Sequence, residues 1–205
     1  MWLFRRKLRT RKKQPHKVAA LLVDMQRFFL RDLEVGVEAS LIAAQKEIIR
    51  YCAQADIPLF VLEYNDEGRT IGELRHEIAR VPQTKTIIKK HDDGFKRTAL
   101  DECLQEFSIT HLLLMGVNAS FCVRDTARSA LRRGYQIITA DHLIANCKCD
   151  ICDVLNKDRE WYQKKRNLPH RHTLTSSSFR YKLVKPSLPT RSVDGFFLFL
   201  NVPCR

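Results

Sequence analysis

The chain has 205 residues, 44% hydrophobic and 29% charged, with a formal net charge of +13; this supports one good-sized core and excludes a collagenous, low-complexity or wholly disordered chain. No apolar run approaches the ~18 residues that would span a bilayer as a helix. The excess charge sits at the ends, with eight Lys/Arg and no acid in residues 1–17 and twelve against five in 147–205, while residues 18–146 hold sixteen against eighteen.

In chain order, the opening Met1 to Phe4 is too short for a signal-peptide core and is followed at once by basic residues. Arg5, Arg6, Lys7, Arg9, Arg11, Lys12 and Lys13 predict a self-repelling, disordered arm over 1–17, either a solvated tail or a contact for nucleic acid or acidic membrane. Val18-Ala19-Ala20-Leu21-Leu22-Val23 before Asp24 reads as a strand buried on both faces. Residues 37–54 repeat apolar positions at helical spacing, and 57–62 form a second buried strand with Pro58 near its entry. A helix over 70–80, a short strand at 86–88 and a helix over 98–107 follow. The apolar run 111–116 is a third long strand, 121–133 a helix capped by Gly134, and 136–141 a strand. Five strands alternating with helices predict a three-layer α/β/α domain with a mostly parallel, Rossmann-like sheet. The core domain is expected over 18–146. Residues 147–205 form a basic extension that completes or decorates it, with a short helix near 158–166 and a late strand at 196–200.

In an open parallel sheet, sites form at the carboxyl ends of the strands. Asp24, the Lys89/Lys90 pair and Cys122 all fall at or just beyond such ends. Cys122 is placed in the first turn of a helix, where unpaired N–H groups and the dipole lower a thiol's pKa and can hold an oxyanion. The other reading of Cys122 is a buried cysteine used as a small hydrophobe.

The residues Gly116, Ala119, Cys122-Val123, Thr126-Ala127 and Ala130 resemble the nucleophile region of the isochorismatase-like cysteine hydrolases, G-x-x-T-x-x-C-V-x-x-T-A-x-x-A. Asp24-Met25-Gln26-Arg27-Phe28-Phe29 is similar to that family's D-x-Q-x-x-F, and Lys89, Asp93-Gly94-Phe95, Thr98 and Leu100 to its K-x-x-x-S-A-F-x-x-T-x-L. The resemblance covers about 18–145. It implies a Cys-Asp-Lys triad, with Cys122 as nucleophile, Asp24 as its base and Lys89 holding both in charge register. It also implies a non-proline cis peptide at Val117-Asn118, which helps aim backbone N–H groups at the substrate oxygen.

Two departures bear on substrate choice: Ala119 stands for the family Thr, and Asp93-Gly94 for Ser-Ala, which removes a hydroxyl and adds a carboxylate near the pocket. Lys90 remains an alternative to Lys89 as the triad lysine. Phe28 and Tyr64 are expected to line the pocket. Residues 63–68 contain no histidine, which argues against a nicotinamidase-type metal, and no cofactor is expected. Cys147, Cys149 and Cys152 have half of a zinc-binding spacing or are incidental. His91 is either a general base or a solvated loop residue. Asp141 either shapes the mouth of the site or caps the next helix.

The expected activity is cleavage of a C–N bond in a small amide or related carbonyl compound through a thioester on Cys122. A homo-oligomer, dimer or tetramer, is expected, with a neighbouring subunit shaping the pocket. Seven cysteines, an odd number, point to reduced thiols and a cytoplasmic location. The rival reading is a catalytically silent scaffold whose basic termini bind nucleic acid or acidic membrane. A third is an aberrant final sixty residues, from an insertion or a shifted reading frame.

Overall fold

Val18–Val23 forms strand β1, with every residue after the first buried, as a central strand of a parallel sheet must be to be covered on both faces. A computed structural model describes residues 17–147 and Tyr162. The expected basic arm apart from Lys17, Cys149 and Cys152, and the late helix and strand lie outside the described residues. Strands β2 (Leu59–Tyr64) and β4 (His111–Val117) flank β1; β3 (Thr84–Lys89) and β5 (Gln136–Ile138) lie outside them. The order is β3-β2-β1-β4-β5, and every pairing is parallel. Strand β6 (Ile144–Ala145) pairs with the last two residues of β4.

Helices α1 (Arg27–Leu30), α2 (Val35–Ala55), α3 (Gly72–Ile78), α4 (Leu100–Glu106) and α5 (Cys122–Arg132) connect the strands. The two-residue period of the strands divides their side chains between two cores. Ala20, Leu22, Val61 and Met115 pack with Leu41 and Ile48 of α2 and Leu74 of α3. Ala19, Leu21, Val23, Leu62 and Leu114 pack with Leu104 of α4 and Val123 and Ala127 of α5. This is the three-layer α/β/α arrangement expected from the alternation.

Two strands, β2 and β5, have ends that depart from the sequence reading for visible reasons. Strand β2 starts at 59 rather than 57 because Asp56 turns left-handed to end α2 and the Ile57 N–H returns to the Cys52 carbonyl. It runs on to Tyr64 because the Gln26 side chain bonds both the N–H and the carbonyl of that residue. The expected strand 136–141 stops at Ile138, where the Thr139 hydroxyl donates to the Leu114 carbonyl at 2.8 Å. Strand β6 then takes over the pairing with β4, giving six strands instead of five.

The chain winds outward from β1 through β2 to β3, then returns to β4 on the other side of β1. The order therefore reverses between β1 and β4, and such a switch point opens a crevice at the carboxyl edge of the sheet. Gly116 makes that approach feasible. At φ +134° it lies so close to β1 that a Cβ would sit 2.0 Å from the Val23 carbonyl oxygen.

Candidate active site

Asp24 follows β1 directly and turns left-handed at φ +51°, a conformation Asp tolerates better than most residues. Its N–H is tied to the Leu62 carbonyl at 3.0 Å. Lys89 ends β3 two strands away, and its chain crosses the end of β2, with Nζ 4.3 Å from the Tyr64 ring centroid. That reach brings Nζ to 2.8 Å from Asp24 Oδ2, with neither side chain exposed. A third contact, from Nζ to the His91 carbonyl at 3.1 Å, fixes the ammonium. Lys90, the alternative in the sequence, lies just past the end of β3 and is exposed.

Cys122 opens α5 and is 3% exposed. Its thiol interacts with Asp24 and with Asp92, whose Oδ1 is 3.5 Å from Sγ. Asp92 is itself an exposed residue, so the sulfur lies one side chain's depth from solvent. The turn before Cys122 contains a cis peptide bond between Val117 and Asn118. Within that turn the N–H of Ala119 goes to the Ala145 carbonyl, that of Ser120 to Asn146 Oδ1, and those of Phe121 and Val123 to the Asn118 carbonyl. From 118 to 123, the N–H groups of Asn118 and Cys122 are left with no protein acceptor among the described residues. The Val117 side chain points into the α2-side core. Asn118 Oδ1 accepts from the Cys147 N–H at 3.1 Å.

Burial pushes the Asp24 carboxyl up to about 6, against the downward pull of the Lys89 ammonium. Burial also pushes the Cys122 thiol well above its ordinary range, and the neighbouring Asp24 charge adds to the shift while Lys89 opposes it. The sequence reading expects the helix N-terminus to lower this thiol's pKa, whereas burial and the Asp24 carboxylate push it upward. The resting pair is therefore a neutral thiol beside a carboxylate.

Other expected residues are placed differently. Phe28 is 41% exposed and packs against Phe29 and the Arg31 guanidinium. Phe29 is the aromatic that meets Tyr64, with ring centroids 5.8 Å apart. Asp93 does not add a free carboxylate to the pocket: its oxygens accept the Phe95 N–H and the Ser129 hydroxyl. Asp92, at a position between motif letters that no spacing singles out, is the extra acid at the sulfur. Gln26 and Thr126 are motif residues to which the sequence assigns no role. Gln26 ties β2 to the chain after β1, and the Thr126 hydroxyl holds the loop after β3 through the Gly94 N–H and the Asp92 carbonyl.

The end of β2 and the stretch that follows it do not fit a nicotinamidase-type metal. Glu63 Oε1 is occupied by the Thr70 N–H at 2.7 Å, the Asn65 and Asp66 side chains bond each other, and His76 lies against Arg80. Among the described residues no group of three His, Cys, Asp or Glu is poised to hold a metal.

Comparison with known proteins agrees with this fold. The profile of the isochorismatase domain matches residues 18–154. The chain is 27% identical over 128 residues to a streptothricin hydrolase of Streptomyces noursei, covering 58% of this chain and 51% of that protein. It is 27% identical over 155 residues to nicotinamidase 3 of Arabidopsis thaliana, covering 64% of this chain and 76% of the relative. The chain thus spans about half to three quarters of these relatives. A nicotinamidase structure from Staphylococcus aureus superposes with a TM-score of 0.66 at 22% identity, over 80% of this chain and 99% of the other.

Proposed function

Since this chain belongs to the isochorismatase domain family, we propose that it is a hydrolase of small amides or related carbonyl compounds, working through a thioester on Cys122. The observation that carries this reading is a thiol against a buried Asp–Lys pair, at the end of a turn in which the Asn118 and Cys122 N–H groups have no protein acceptor among the described residues. The thiol sulfur attacks the carbonyl carbon as Asp24 takes its proton. The carbonyl oxygen becomes an oxyanion held by the N–H groups of Asn118 and Cys122. Collapse expels ammonia or an amine, which leaves with the proton from Asp24, and the thioester remains. Water then attacks the thioester with Asp24 as base, releasing the acid and restoring the thiol. Lys89 keeps Asp24 available as an anion in a site that desolvation would otherwise neutralise. Tyr64 bounds the pocket beside the Lys89 ammonium.

Amide-hydrolase names among the relatives support the bond class. The four free cysteines among the described residues support a reducing, cytoplasmic setting. Exposed apolar side chains at Phe28, Val35 and Val37 support a homo-oligomer.

The test is intact-mass spectrometry after exposure to a panel of small amides and esters. An acyl adduct on Cys122, absent in Cys122→Ala, is the expected result. A Cys122→Ala variant that turns over substrate at the wild-type rate would refute the assignment.

A further inference from the structure

Asp92 introduces a charge that the triad chemistry does not use. Asp24 and Lys89 neutralise each other at 2.8 Å, whereas among the described residues Asp92 enters no salt bridge. Its Oδ1 instead sits 3.5 Å from the Cys122 sulfur, on the solvent side of the site. The loop fixes it there from both sides. Lys89 Nζ holds the His91 carbonyl, the Thr126 hydroxyl donates to the Asp92 carbonyl at 3.3 Å, and the Gly94 N–H bonds the same hydroxyl at 2.8 Å. Gly94 permits this close seating, since a Cβ there would lie 2.4 Å from Leu62 Cδ1 and 3.1 Å from the Thr126 hydroxyl oxygen. An anion pinned beside the reacting sulfur in a partly desolvated crevice attracts cations and repels anions.

We propose that Asp92 is a specificity-determining residue that selects substrates with a positively charged group, an ammonium or guanidinium, close to the scissile carbonyl. This deepens the hydrolase reading and rests on it. When such a substrate enters, its cation takes the Asp92 carboxylate, and the thiol is left facing Asp24 and the carbonyl carbon. Anionic substrates meet an unneutralised carboxylate at the point of attack.

The test uses two thiol reagents of similar size and opposite charge, 2-(trimethylammonio)ethyl and 2-sulfonatoethyl methanethiosulfonate, on the full-length protein. Peptide mass spectrometry assigns the modification rate to Cys122. In wild type the cationic reagent should be faster by at least about tenfold. Asp92→Asn should lower that ratio by about tenfold, and Asp92→Lys should invert it. Any general change in thiol reactivity affects both reagents and cancels in the ratio. A ratio unchanged in both variants overturns the proposal.

A second arm compares acyl adducts from 3-aminopropanamide and its neutral analogue butanamide. A preference for the cationic amide that disappears in Asp92→Asn supports the proposal, and equal ratios in the two proteins overturn it. Absence of adducts from every amide and ester would overturn the hydrolase reading itself. The reagent ratio would still report separately whether Asp92 sets the charge preference at the sulfur.

Discussion

Lys89 Nζ and Asp24 Oδ2 are 2.8 Å apart, and neither side chain reaches solvent. Placing two charges together in a desolvated site is costly unless each satisfies the other, and removing one partner leaves the other uncompensated. The pair therefore joins the ends of β1 and β3 and sets the protonation state beside the sulfur.

Lys89→Met should abolish turnover and destabilise the fold by about 3 kcal/mol at pH 8. Without the ammonium, the folded-state pKa of Asp24 rises further above its unfolded value. The folded protein then binds a proton that the unfolded chain releases, so the loss should shrink at pH 5, where the buried carboxyl is neutral. Urea melts of wild type and variant at the two pH values check this. An equal loss at both would show that Asp24 does not respond to Lys89.

The pH profile follows from the same burial. In the proposed mechanism Asp24 accepts the thiol proton only when ionised, and burial raises it to about 6. The value of kcat/KM should therefore fall as pH drops through about 6, not through the ordinary carboxyl range near 4. Asp92 contributes to raising Asp24, so Asp92→Asn should move this acidic limb to lower pH. A limb that stays in place would remove Asp92 from the electrostatics of Asp24.

Gly116 tests the close approach of β4 to β1. Gly116→Ala places a methyl 2.0 Å from the Val23 carbonyl oxygen at φ +134°, so backbone must shift. We expect a loss of more than about 3 kcal/mol or failure to accumulate folded protein. The control is Gly36→Ala in α2, where a Cβ meets nothing within 4 Å. That change should be neutral or stabilise by up to about 0.5 kcal/mol. Thermal melts of the two variants give the comparison.

Tyr162, outside the span matched by the family profile, is 5% exposed and donates its hydroxyl to the Ala119 carbonyl at 2.8 Å, in the turn before Cys122. Tyr162→Phe keeps the ring and leaves that carbonyl unpaired. It should cost about 1 kcal/mol and lower kcat more than it raises KM, because the turn carries the two N–H groups proposed for the oxyanion. A variant indistinguishable from wild type in both stability and kcat would restrict Tyr162 to filling space.

The fold class and the sheet edge on which the candidate residues gather are legible in the order of the amino acids. The uninterrupted apolar run of β1, repeated in β4, leaves only a strand covered on both faces, and the acid, lysine and cysteine that follow strands must then share one edge. Lys89 and Lys90 stay alternatives in the sequence, because the end of a strand is not fixed by an apolar run alone; the pairing of Tyr64 with Lys89 and the contact of its Nζ with Asp24 decide between them. The electrostatics of the site are set by contacts in space. Whether Cys122 is acidified or suppressed depends on its burial and on Asp24 and Asp92 at its sulfur, and Asp92 is thirty residues away in the chain. Desolvation and Coulomb interactions depend on distances through space, and those distances exist only once the loop after β3 is fastened to Thr126.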